Sequence, residues 1–184
     1  MQKWRWLSIS TRSYICKENE DGTYTGIYCH SDGYLTYNGA MLIDHYKDRE
    51  KVEKLISLGD MSSLNVNVDP DTSKEHNFDN RQEDVCVFYG RDRGEKDTEA
   101  QIVNPHKFNS SESMIEYCYI YGLDNKWKYF ECGRSDKINL EDVEKALEKE
   151  YKRLGFPRPA NRYGFYFPDE IEAFKNKANE EAEM

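Results

Sequence analysis

The chain has 184 residues, with 26 Lys and Arg against 35 Asp and Glu, a net charge of −9 and a pI near 5.0. That length fits one domain, or one domain with a small appendage. No apolar run approaches the roughly 18–20 residues of a membrane span, and no apolar stretch at the N-terminus resembles a signal peptide, so a cytoplasmic protein is expected. The anionic balance favours a protein partner with a basic surface, and direct nucleic-acid binding is not expected.

The apolar share is low and mean hydropathy is −0.96, yet 14 Tyr, 8 Phe and 3 Trp offer a core built from rings. Five cysteines, Cys16, Cys29, Cys86, Cys118 and Cys132, include no CxxC pair and read as small buried hydrophobes rather than a disulfide scaffold.

In chain order, residues 4–16 alternate apolar and polar positions, Asp21-Gly22 signals a tight turn, and residues 23–30 (TYTGIYCH) follow as a partner strand. After Gly33 the period becomes helical. Asn38 can cap a first short helix bearing Met41, Leu42 and Tyr46. Asp48 can cap a second over 49–58, with Val52, Leu55 and Ile56 inward and Gly59 as its stop. Residues 65–83 are polar and read as a loop or mobile insertion.

Residues 84–89 (DVCVFY) are nearly continuous in apolar character, which predicts a central strand. The charged stretch 91–96 (RDRGEK) reads as a solvated tip. Residues 115–121 and 126–132 predict a second hairpin. Asn139 then caps a helix through residue 154, whose stripe is Leu140, Val143, Leu147, Tyr151 and Leu154. A Pro- and aromatic-rich connector leads to a last helix opened by Pro168, with Ile171, Phe174 and Ala178 inward. The expected fold class is α+β, an antiparallel sheet built from hairpins with helices packed against it. Residues 1–155 form the domain, and residues 156–184 pack on it as connector and helix.

The densest chemistry-bearing stretch holds Cys29, His30 and Asp32, with His45 downstream. Cys29 and His30 point to opposite faces of a strand, so they cannot form a thiolate–imidazole dyad. His30 and Asp32 share a face if the strand continues, and with His45 they are the metal- or ligand-binding alternative. Against it stands a plain turn at Asp32-Gly33. No nucleophile elbow, phosphate loop, dinucleotide fingerprint or HExxH helix is present, no motif asks for a cofactor, and nothing argues affirmatively for an enzyme.

Two blocks, residues 27–34 (IYCHSDGY) and 58–64 (LGDMSSL), with Asp44-His45-Tyr46 and Glu50-Lys51-Val52 between them, resemble a family of small proteins of phages and mobile elements in Firmicutes. The resemblance covers roughly residues 5–132, and in size and acidity the chain also looks like a type II-A anti-CRISPR family. It implies an inhibitory protein that binds the Cas9–guide complex and keeps target DNA out of its basic channel. Carboxylates competing with phosphate would be supplied by the acidic helices, through Glu141, Asp142, Glu144 and Glu148, and through Asp169, Glu170 and Glu172.

Overall fold

The computed structural model describes residues 10–110, 112–155, 157–159, 170, 172–176 and 180. Its strands are β1 (Ser13–Glu18), β2 (Tyr24–Cys29), β3 (Met61–Ser63), β4 (Val87–Phe88), β5 (Gln101–Val103), β6 (Tyr117–Tyr121), β7 (Trp127–Glu131) and β8 (Glu141–Asp142). The helices are α1 (Ala40–His45), α2 (Arg49–Ser57), α3 (Tyr89–Arg93) and α4 (Val143–Leu154). A π-turn over Leu35–Gly39 leads into α1, and a 3-10 turn covers Pro105–Phe108.

The fold is α+β. The strands form one mixed sheet in the order β4-β3-β2-β1-β6-β7-β8, with β5 also on β2. Both predicted hairpins are present. Gly22 takes φ +81° in the first turn, and Asn125 takes φ 58° in the second. The hairpins meet side by side in parallel, with Ser13 opposite Tyr117 and Lys17 opposite Tyr121. A second parallel contact joins β2 to β3, so the sheet is not antiparallel throughout.

Strand alternation gives the sheet two different faces. On one, Ile15, Ile27, Cys29, Tyr119, Tyr121, Trp127 and Tyr129 meet α1, α2 and α4 in the main core. On the other, Cys16, Cys118, Ile120 and Phe130 form a smaller cluster with Val103, Tyr14 and Phe108. Several phenol and indole groups of the main core are satisfied by backbone carbonyls. Tyr119 Oη donates to Gly33 O (2.8 Å), Tyr121 Oη to Lys47 O (2.7 Å) and Trp127 Nε1 to Tyr46 O (2.7 Å). A ring-rich core thus also fixes the loops beside it.

The helix α2 begins and ends as its sequence implies. Asp48 accepts from Lys51 N (2.9 Å), and Gly59 sits left-handed just past the C-terminus. Asn38 is different. It lies inside the π-turn, fully buried, and its Nδ2 donates to Ser13 Oγ (3.0 Å) and Cys29 Sγ (3.4 Å), so it ties helix to sheet instead of capping.

The start of α4 also differs from expectation. Asp142, not Asn139, is the N-cap and accepts from Lys145 N (3.1 Å), because Glu141 and Asp142 are held as a short strand on β7. The buried stripe is Val143, Ala146, Leu147 and Tyr151, while Leu140 and Leu154 are 42% and 37% exposed. Leu147→Ala removes a fully buried side chain from this stripe and is expected to cost about 2–5 kcal/mol in urea unfolding.

Residues 84–89 do not form a central strand. Two of them make β4 at the end of the sheet, and Val85–Phe88 are buried because residues 67–84 fold back over them, with Asn67 bridging to Val85. Of the tail, Arg158 pairs with Asp44 of α1, and residues 172–176 are helical. Pro168, Ile171 and Ala178 lie outside the described residues.

Candidate functional site

The helix α4 and the short strand before it stand as a ridge between two clefts. One cleft, about 580 Å³, has Tyr117 and Tyr129 in its floor and Tyr34, Arg134, Glu141, Lys149 and Arg153 around it. The other, about 460 Å³, combines Trp127 and Ile43 with Lys47, Asp142, Glu144 and Glu148. Sheet register builds the first floor. Tyr117, Tyr119 and Tyr129 share a face of β6 and β7, and their rings stack at centroid distances of 5.9–6.4 Å.

Burial pushes the Tyr117 and Tyr129 phenols up; the carboxylates Glu131 and Glu150 push both the same way, and Glu141 adds to the effect on Tyr129. Both phenols therefore stay neutral at any physiological pH. Part of the rim is paired within the chain: Arg153 forks onto Glu150 (2.8 and 2.6 Å), and Arg134 pairs with Glu131.

The four acidic residues 141, 142, 144 and 148 thus lie on one ridge, but the ridge is not uniformly anionic. Along α4 three Glu alternate with Lys145, Lys149, Lys152 and Arg153. Asp142 is engaged in capping, and Glu141 accepts from Asn139 Nδ2 (3.2 Å). Glu144 and Glu148 are exposed. Of the tail carboxylates, Asp169 lies outside the described residues, Glu172 is exposed, and Glu170 is half-buried.

His30, Asp32 and His45 are not brought together as a ligand set. Among the described residues no three His, Cys, Asp or Glu side chains are grouped to hold a metal ion. The strand β2 ends at Cys29, and Asp32 turns the chain with φ 56°, so the shared-face geometry of His30 and Asp32 does not arise. His30 Nδ1 meets the Tyr28 hydroxyl (2.8 Å), Asp32 is half-buried with its carboxyl pushed up by that burial, and His45 closes α1. Burial also raises the thiols of Cys29 and Cys132 to about 12, which keeps both protonated and non-nucleophilic at neutral pH.

The charged stretch 91–96 is not simply a solvated tip: Arg91 and Asp92 form a buried polar cluster with His76. Asp92 Oδ1 accepts from Arg91 Nε (2.7 Å), and its Oδ2 accepts from Arg91 Nη2 (2.9 Å) and Phe88 N (2.7 Å). His76 Nε2 lies 3.3 Å from the same Oδ2, with both side chains 2% exposed. Arg91 further donates to Val68 O (2.6 Å) and Cys86 O (2.7 Å). This network holds the long 67–84 segment to the body, which is thus an ordered structure rather than a free insertion. The adjacent Arg91-Asp92 pair reads as solvated charge, and His76, 15 positions before Arg91, carries no periodic signal that links it to them.

Compared with protein-family models, with curated proteins and with solved structures, the chain matches none. Among the described residues no helix is long and apolar enough to cross a membrane.

Proposed function

We propose that this protein works by docking onto a macromolecular partner through the α4 ridge and its flanking clefts. The observation that carries this reading is a pair of clefts beside α4, one opened by the exposed Tyr34 and half-buried Tyr117 over the buried Tyr129, the other lying against half-buried Ile43 over the buried Trp127, each with a charged rim of both signs. Tyr, Trp and Arg are the side chains that most often dominate interface energies, because each combines a large apolar body with a polar tip.

The partner we propose, on the resemblance of the 27–34 and 58–64 blocks, is the Cas9–guide complex, with the host cytosol as the setting. Glu141, Asp142, Glu144 and Glu148, extended by Asp169, Glu170 and Glu172, would meet Lys and Arg that otherwise hold DNA phosphates. The interleaved lysines favour recognition through individual pairs over a general anionic field, so binding should survive moderate salt better than phosphate mimicry alone.

The test is capture of guide-loaded Cas9 by the full chain at rising salt, alongside the variant Glu144→Lys/Glu148→Lys. Wild-type binding at about 0.1 M salt, where the Debye length is near 10 Å, and a roughly tenfold or greater loss in the variant support the reading. No capture of guide-loaded Cas9 removes that partner, and a variant that binds as well as wild type moves the contact off α4.

A further inference from the structure

We propose that the cleft between Tyr34 and α4 is a guanidinium pocket, and that the docking partner seats one of its arginines there. The arginine-bearing partner rests on the docking reading, whereas the pocket rests on the cleft alone.

The cleft is assembled from separate parts of the fold. Tyr34 precedes the π-turn, Tyr117 and Tyr129 share a face of β6 and β7, and Glu150 stands on α4. Glu131 closes β7, and Glu141 opens β8 directly opposite Tyr129. Tyr34 is 38% exposed and Tyr117 is half-buried, so both rings offer surface to a ligand.

Three carboxylates and three cations line this space, and their depth decides what it attracts. In the pair Glu131–Arg134 the carboxylate side chain is 32% exposed and the guanidinium 75%. In Glu150–Arg153 the figures are 30% and 68%. The carboxylates are therefore the inner charges, while the cations ride on long side chains at the rim. Glu141 is also only partly exposed, and it accepts from the Asn139 amide. The field at the buried Tyr129 ring agrees, since Glu141, Glu131 and Glu150 all push its phenol up. Inner carboxylates beside aromatic faces attract a cation and repel phosphate.

Two features favour guanidinium over ammonium. A planar fork stacks on a ring while donating to a carboxylate, which a compact ammonium does not do at once. The chain makes the same choice itself. Arg134 takes Glu131 and Arg153 forks onto Glu150, whereas Lys149, lining the same cleft, makes no ion pair among the described residues. An arriving arginine meets Glu141 first, and it reaches Glu131 by displacing Arg134, an exposed side chain whose pair is weak.

Titration of the isotope-labelled full chain with the capped peptide acetyl-Gly-Arg-Gly-amide, followed by NMR at about 0.1 M salt, tests the pocket without Cas9. Lysine and citrulline counterparts are run beside it; citrulline keeps the shape of arginine and lacks its charge. The expected result is saturable shifts at Tyr34, Tyr117 and Glu141, with a dissociation constant of about 1–10 mM for a single side chain. Lysine should bind about threefold more weakly or worse, and citrulline should give no saturable shift. Glu131→Gln/Glu141→Gln should lose about fivefold or more while the core signals of Ile27 and Leu55 stay in place. The proposal is overturned by no saturable shift with arginine up to about 50 mM, by shifts centred away from the cleft, or by an equal response to citrulline. Lysine binding as tightly as arginine, or a variant that binds as wild type does, overturns it too. Arginine binding without capture of Cas9 supports the pocket and removes only that partner, and capture without arginine binding does the reverse.

Discussion

Asp92→Ala is expected to lower stability by about 3–5 kcal/mol, moving the urea midpoint down by about 1–2 M. The reason is what it leaves behind. Arg91 keeps its guanidinium in a half-buried site with its counter-charge gone, and the buried Phe88 N–H loses its acceptor. Against a total of about 5–15 kcal/mol for an ordinary domain, that is a large fraction. Asp92→Asn, which can still accept from Phe88, should cost less, on the order of 1–3 kcal/mol.

The pH dependence of that effect has a definite sign. Burial by itself raises the Asp92 carboxyl, but hydrogen bonds from Arg91 and Phe88 and the Arg91 charge outweigh it and hold the group below its ordinary 3.8. A carboxyl depressed in the folded state stabilises fully above its unfolded value and loses that contribution as pH falls through the folded one. The gap between wild type and Asp92→Asn should therefore persist down to about pH 4 and close below it, as read from urea midpoints across the range.

Gly59→Ala is the second large effect. Gly59 has φ +82°, and a Cβ there would lie 2.2 Å from Thr98 O, a backbone atom that cannot swing aside. The close approach is structural, since Asp60 N donates to Thr98 O (2.7 Å) and sets the chain entering β3 beside the segment before β5. Left-handed strain of about 1–2 kcal/mol adds to the clash, so a total above about 3 kcal/mol is expected. Gly94 supplies the control: it has φ +72° with open space at the Cβ position, so Gly94→Ala should show the strain alone. Equal midpoints for the two variants by thermal or urea unfolding would show that the Thr98 contact does not matter.

Local signals in the sequence were trustworthy where a turn or a cap sets the geometry within a few residues. Asp21-Gly22, Asp48 and Gly155 each do in the structure what their chemistry implies. They fail where partners are remote. Leu140 extends the helical stripe of α4 on paper, yet pairing of Glu141 with Tyr129 claims the chain for the sheet first. Residues 84–89 read as central because they are apolar, but the cover comes from the polar 67–84 segment, held by Arg91. The candidate site was legible in part. The acidic residues of the α4 ridge were visible, whereas the tyrosine floor required the β6–β7 register, and its Arg and Lys neighbours were masked by the overall negative charge.

The parallel seam between the two hairpins has a consequence for how the chain is made. Ser13 and Tyr117 are 104 positions apart, so a nascent polypeptide must emerge almost to its last third before the middle of its sheet can close. Until then the first hairpin displays an unsatisfied strand margin, open to any extended segment nearby. Synthesis arrested before residue 117 should leave an aggregation-prone product, and a ribosome pausing there would be hazardous for the cell in which it occurs.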